Sequence, residues 1–253
     1  MPAIESKQHP KIWSPITMTW KRAIIVGATS GIGEEIVRQL SAQGTQCAAL
    51  GRREDRLDQL AREIPNLVVR THDVLQTSTV PDLFAELCRE LGGLDLIIYN
   101  AGLLTEPAEW EDDERMMEIN LVGAIPWLRL AADRFEGVGA GTIVGIGSVA
   151  GDRARAGRPG YSASKAGLHA YLESLRNRLS RRGVVVSTIK PGPVDTEMTR
   201  HLSMNKMPVQ TAVQILLKKA RKPGEHYLSP VHAAVFTILR AIPSPIFRRL
   251  PLE

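Results

Sequence analysis

The chain has 253 residues, 43% of them hydrophobic and 23% charged, with a formal net charge of +5. That length and apolar content suit one α/β sheet covered on both faces and exclude a disordered chain. Two cysteines, Cys47 and Cys88, are too few for a disulfide framework, and six scattered histidines show no metal-ligand spacing, so no metal is expected.

The basicity sits late in the chain. From Lys218 to Arg249, the bases Lys218, Lys219, Arg221, Lys222, Arg240, Arg248 and Arg249 stand against Glu225 alone, and the rest of the chain is close to neutral. A nucleic-acid reader sets basic residues along a groove with aromatics between them, and aromatics make up only 5% of this chain, so no nucleic-acid partner is expected. Residues 1–17 are polar and Pro-interrupted, without the apolar core of a secretory signal, and read as a mobile N-terminal extension. A dinucleotide-binding and catalytic body over 18–222 and an apolar, basic tail over 223–253 follow. No apolar run reaches the roughly 18 residues that a membrane-spanning helix needs.

The first strand, Ala23-Ile24-Ile25-Val26, is continuously apolar, as in a strand buried on both faces. It ends in Gly27-Ala28-Thr29-Ser30-Gly31-Ile32-Gly33, and a helical pattern follows. A strand, a glycine turn and a helix together make a phosphate site, because bare backbone lets a pyrophosphate approach the helix N-terminus. Glu34 stands where a nucleoside-triphosphate loop needs Lys, which excludes that alternative. The second strand, 46–50, ends at Gly51-Arg52-Arg53. An NAD-binding fold places an acidic residue there for the ribose 2′-hydroxyl; guanidinium groups instead suit a 2′-phosphate, so NADP(H) is expected and NAD(H) is the second choice. Pairing of these arginines with Glu54 and Asp55 is the structural alternative.

A third strand over 67–70 leads to His72-Asp73-Val74, a helix covers 77–91, and a fourth strand over 94–98 closes on Tyr99-Asn100-Ala101-Gly102. One long helix over 111–136 carries Asn120 among apolar neighbours, which is costly unless its amide is bonded. The fifth strand, 142–147, feeds Ser148; a Gly/Arg-rich loop follows, and a helix over 161–180 begins at Tyr161. Tyr161 and Lys165 are four apart and share a helix face. An ammonium there favours the phenolate and makes the Tyr a usable proton donor and acceptor. A sixth strand over 184–189 ends at Lys190-Pro191-Gly192-Pro193-Val194-Asp195-Thr196. This alternation predicts a single-domain, Rossmann-type α/β fold, a doubly wound parallel sheet with helices on both faces.

Order and spacing over about residues 21–200 resemble the short-chain dehydrogenase/reductase family. The resemblance implies catalytic roles for Asn120, Ser148, Tyr161 and Lys165. It implies a cofactor cleft with Gly27, Thr29, Ser30, Gly31, Ile32 and Gly33 in the first turn, Arg52 and Arg53 beyond the second strand, and Asp73 and Val74 near the adenine. Asn100, Ala101 and Gly102 would line it centrally, and Pro191, Gly192, Val194 and Thr196 on the nicotinamide side, with Tyr161 and Lys165. Val26 and Tyr99 depart from the family's usual Thr and Asn. The loop Gly151-Asp152-Arg153-Ala154-Arg155, with the tail, is similar to the branch containing reductases of polyprenyl-phosphate-linked keto-pentoses. The expected activity is NADP(H)-dependent interconversion of a carbonyl and a secondary alcohol on a lipophilic or anionic substrate. The alternatives are a non-catalytic dinucleotide-binding sensor or scaffold, and an epimerase or dehydratase on the same fold.

The family's late strand, usually closing on Val-Asp-Gly-Gly, is expected to be absent, with His226-Tyr227-Leu228 in its place. That strand often helps build a tetramer, so a homodimer through 111–136 and 161–180 is expected and a tetramer is the second choice. A helix over about 231–242, apolar on most of its surface and followed by arginines, fits three uses. These are contact of residues 229–253 with an anionic membrane, a lid over the substrate, and packing on the body or a second subunit. The expected location is cytoplasmic, extending to the inner face of a membrane.

Overall fold

Trp20 donates its indole N–H to the Thr142 hydroxyl at 3.0 Å, which ties the entrance of the first strand to the fifth. The structure, a computed structural model, describes residues 20–106, 108–154 and 156–249. The extension over 1–17, Arg155 in the loop after Ser148, and residues 250–253 of the tail lie outside these described residues.

Seven strands form one parallel sheet: β1 (Arg22–Val26), β2 (Gln46–Gly51), β3 (Val68–Thr71), β4 (Leu96–Tyr99), β5 (Gly141–Ile146), β6 (Val184–Lys190) and β7 (Gly224–Tyr227), in the order β3-β2-β1-β4-β5-β6-β7. Successive side chains point to opposite faces, so β1 sends Ala23 and Ile25 to one core and Ile24 and Val26 to the other. The first core is closed by α1 (Gly31–Ala42), α2 (Glu54–Glu63) and α7 (Val209–Lys219), through Ile36, Leu57 and Val213. The second is closed by α3 (Val80–Glu90), α5 (Ala124–Val138) and α6 (Pro159–Leu179), through Phe84, Trp127 and Leu172. The strand order reverses between β1 and β4, and in open α/β sheets ligands bind outside the strand ends at such a point.

Two expectations are corrected. The late strand is present: β7 pairs with β6 with Lys190 opposite Tyr227, so His226 and Tyr227 are strand residues despite lacking the glycine-rich ending. The long helix over 111–136 is interrupted. It runs as α4 (Trp110–Met117), a π-helical turn over Glu118–Val122, and α5. The wide turn carries Asn120, and π turns within helices are frequent at functional sites. Beyond β7, α8 (Pro230–Ala241) packs along the sheet edge with only Phe236 buried, and α9 (Ser244–Phe247) follows. No helix among the described residues is long and apolar enough to cross a membrane.

Candidate active site

The first turn is built for close backbone approach. Gly27 has φ +90°, and a Cβ on it would lie 2.4 Å from the Ala101 nitrogen. Gly33 meets the Gly27 carbonyl so tightly that a Cβ would stand 2.0 Å from it, which lets α1 dock directly against β1. Ser30 occupies the N-cap of α1 but makes no side-chain capping bond, leaving the helix N–H groups open toward the cleft. Asn100 donates its side-chain amide to the Gly27 carbonyl at 2.7 Å and so couples the fourth strand to the turn.

One cleft runs over these strand ends. It gathers Gly27, Thr29, Ser30, Gly31 and Ile32 with Asn100, Ala101 and Gly102. Arg52, Arg53 and Val74 line one end; Ser148, Tyr161 and Lys165 line the other, beside Pro191, Gly192, Val194 and Thr196. Three expected residues lie off this wall. Gly33 is the packing glycine just described. Asp73 turns its carboxylate back to accept the Leu75 N–H at 3.1 Å. Asn120 is fully buried behind the wall. His72, Met198 and Glu197 also line the cleft and were not anticipated from sequence, since none belongs to a glycine or Tyr/Lys pattern. His72 is edge-on to Trp127, and its Nε2 has no hydrogen-bond partner among the described residues.

The arginines do not pair with their own helix. Arg53 donates to both the hydroxyl and the carbonyl of Thr29, at 3.2 and 3.1 Å, and reaches Glu197. Arg52 is exposed at the cleft. Anion donors, an uncapped helix N-terminus and a glycine cradle together fit a phosphate-bearing dinucleotide.

At the other end Ser148 leaves β5 and caps a short turn, its hydroxyl accepting the Ala150 N–H at 3.1 Å. Tyr161 lies in the first turn of α6, and burial raises its phenol pKa; a hydrogen bond with Ser148 and the nearby Arg158 charge pull it down, while Glu106 pushes it up. Lys165 is buried and donates to the Ile146 carbonyl at 2.9 Å; its ammonium lies 5.8 Å from the Tyr161 ring centroid, and burial brings its pKa down to about 8. Ser148 and Arg158 thus join the nearby Lys165 ammonium on the phenolate's side, and burial outweighs Ser148 and Arg158, so the phenol pKa is raised overall.

Asn120 shows the bonded amide its position demands. Its oxygen accepts the Leu103 N–H at 2.7 Å, and its nitrogen donates to the Leu103 carbonyl and the Ser164 hydroxyl, each at 3.0 Å. It ties the loop after β4 to α6. Gly102 is bare where this amide and Lys165 converge: a Cβ there would lie 3.3 Å from Asn120 Oδ1 and 3.4 Å from Lys165 Nζ.

Two of the loop arginines, Arg153 and Arg158, are already engaged. Arg158 is ion-paired with Glu106, which also meets His201 at 3.3 Å. Arg153 stacks over Phe247 at 4.2 Å and donates to the Ile242 carbonyl, joining the loop after Ser148 to the tail.

A model of the short chain dehydrogenase family matches residues 21–207. An uncharacterized oxidoreductase of Mycobacterium tuberculosis is 35% identical over 222 residues, covering 82% of this chain and 87% of the relative. One from Myxococcus xanthus is 32% identical over 245 residues, covering 91% and 96%. A short chain dehydrogenase from Burkholderia cenocepacia, solved in complex with NADP, superposes with a TM-score of 0.80 at 26% identity, covering 92% of this chain and 98% of that one. A variant of actinorhodin polyketide ketoreductase, solved with NADPH, gives 0.71 at 25% identity, covering 85% and 92%.

Proposed function

Because the chain belongs to the short-chain dehydrogenase family, we propose that this oxidoreductase uses NADP(H) to interconvert a carbonyl and a secondary alcohol. The observation that carries this reading is one cleft with Ser148, Tyr161 and Lys165 at one end and Arg52 and Arg53 at the other. The relatives solved with NADP and NADPH support it. When bound, the nicotinamide supplies or accepts the hydride.

The protein's own groups do the rest. Burial keeps the Tyr161 phenol protonated, ready to donate to a carbonyl oxygen, and in the opposite direction the phenolate takes the proton from an alcohol. The Ser148 hydroxyl is placed to stabilise the developing oxyanion, a contribution of about 2–4 kcal/mol for such a donor. Lys165 would hold the ribose side of the nicotinamide, and burial brings its ammonium pKa down to about 8. Asn120 positions α6 against the loop after β4.

A lipophilic substrate fits better than a strongly anionic one. Glu106 neutralises Arg158, and Arg153 is committed to the tail, so neither offers an open guanidinium to a phosphate. Met198 lines the cleft. The reading includes peripheral contact of residues 229–253 with an anionic membrane. Val231, Val235 and Ile238 are 67%, 42% and 63% exposed on one stripe of α8, with exposed Arg248 and Arg249 beyond it. It also includes a homodimer through α4, α5 and α6, which now rests on the exposed Val122 and Ile125 of that face and no longer on a missing late strand, since β7 is present.

Consumption of NADPH with a panel of lipophilic ketones tests the function. A sensor binds NADPH without consuming it, and an epimerase forms product with no net change in NADPH.

A further inference from the structure

Tyr161, Lys165 and His169 lie at successive four-residue steps of α6, so one helix stripe carries all three. The first two face the cleft. His169 is buried beneath the turn that presents Ser148, and the mechanism above gives it no part. Its Nε2 lies 3.4 Å from the Ser148 backbone nitrogen, a long but directed hydrogen bond. The turn is wound onto the ring: a Cβ on Gly147 would stand 2.2 Å from His169 Nε2, and one on Gly151 2.6 Å from Cε1. Only bare backbone on both sides of Ser148 permits that contact.

The far side of the ring is fixed as well. Nδ1 faces Asp152 Oδ1 at 3.7 Å. Asp152 is itself held: it pairs with the fully buried Lys190 and accepts the Tyr227 hydroxyl at 2.6 Å. Lys190 also meets Glu225 at 2.8 Å, and Arg240 of α8 meets Glu225 at 3.2 Å. With Asp152 matched by Lys190, the imidazole stays neutral; burial, then Lys190, bring its pKa down to about 4, against the pull of Asp152 and Glu225, with Lys165 adding a small push downward. A neutral ring whose Nδ1–H points at a carboxylate leaves Nε2 as the acceptor.

We propose that His169 is a positioning residue for Ser148, its imidazole accepting the Ser148 backbone N–H and so holding the serine hydroxyl against Tyr161. This rests on the assignment of Ser148 and Tyr161 to the reacting site. Burial acts most strongly on the phenol; Ser148 and Arg158 favour its ionisation, Glu106 opposes it, and the Lys165 ammonium lies 5.8 Å from its ring centroid. Loss of His169 therefore acts through the Ser148 hydrogen bond.

The test is an NMR titration of the Tyr161 phenol in the full chain with isotope-labelled tyrosine, its resonance identified by Tyr161→Phe. It requires no turnover and stands apart from whether a carbonyl is reduced. His169→Leu should raise the phenol pKa by about half a unit or more, as Ser148→Ala should, through loss of the same hydrogen bond. His169→Gln, which restores an acceptor oxygen, should titrate close to the wild type. In a Ser148→Ala background, His169→Leu should shift nothing further. An unshifted phenol in His169→Leu, or shifts that add in full, would overturn the proposal. Should the Leu variant fail to fold, the tautomer of His169 in the wild-type protein decides: a proton on Nδ1 supports the proposal, and one on Nε2 refutes it, because that nitrogen could no longer accept.

Discussion

Arg53 reaches across the mouth of the cleft to Glu197, Nη1 to Oε2 at 2.9 Å, while its other nitrogens hold Thr29 in the glycine turn. The guanidinium that would meet a 2′-phosphate thus already has a carboxylate partner, whereas its neighbour Arg52 stands exposed on the cleft wall. The pair is two-fifths exposed on each side, so it is worth no more than about 1 kcal/mol. Arg52→Asp should weaken NADPH by at least about tenfold and leave NADH nearly unchanged. Glu197→Gln, by freeing Arg53, should tighten NADPH by up to about fivefold. Fluorescence titration of both cofactors reads these effects; equal losses for the two in Arg52→Asp would mean that Arg52 reads no phosphate.

Lys190 has no exposed side-chain surface and matches two carboxylates, one of which, Asp152, is only 2% exposed. Lys190→Met leaves that carboxylate only the half-exposed Arg240 at 3.7 Å and the Tyr227 hydroxyl, and should cost up to about 3–5 kcal/mol in urea unfolding. Adding Asp152→Asn should recover a large part. If the single substitution were neutral, the buried network would be decoration on the fold.

His169 also links stability to pH. In the folded chain its pKa is brought down to about 4, whereas an unfolded histidine titrates near 6.5. Between those values the unfolded state binds more protons, so the contribution is fully present above about pH 6.5 and is lost as pH falls toward 4. The loss amounts to about 2–3 kcal/mol. His72 and His226 are depressed by burial too, so the comparison is between chains that retain both. His169→Gln should show a shallower fall in urea stability across this window, and parallel curves for the two chains would contradict the linkage.

The exposed stripe of α8 should carry the membrane contact. The intact chain should sediment with anionic vesicles more than with neutral ones, and less as salt rises. Val235→Asp with Ile238→Asp should abolish sedimentation while NADPH binding persists. No sedimentation of the wild type with anionic vesicles at low salt would eliminate the contact.

The sheet through β6 was legible because continuous apolar runs alternate with helical patterns, and the glycine turn declared itself by spacing. β7 was hidden: Gly224–Tyr227 carries no apolar run, and its membership rests on pairing with β6 and on charges buried beside Lys190. The π turn at Asn120 was invisible because a wide helical turn leaves the apolar pattern intact over so short a stretch. Asp73 was placed near the adenine by the family resemblance; that one of its oxygens also accepts the Leu75 N–H could not be read from the sequence. The Tyr161–Lys165 spacing located both side chains in one cleft, but it did not show that Ser148, from the start of the loop, and Glu106, from the loop after β4, also act on the phenol.

Hydride and proton transfer are best tested together in NADPH consumption with a panel of lipophilic ketones, wild type against Tyr161→Phe. The Phe ring keeps the packing and removes only the oxygen that moves the proton. The account predicts that the wild type turns over at least one ketone with stoichiometric alcohol formation, and that Tyr161→Phe lowers kcat at least about a hundredfold while still binding NADPH. Turnover by Tyr161→Phe close to that of the wild type would contradict it.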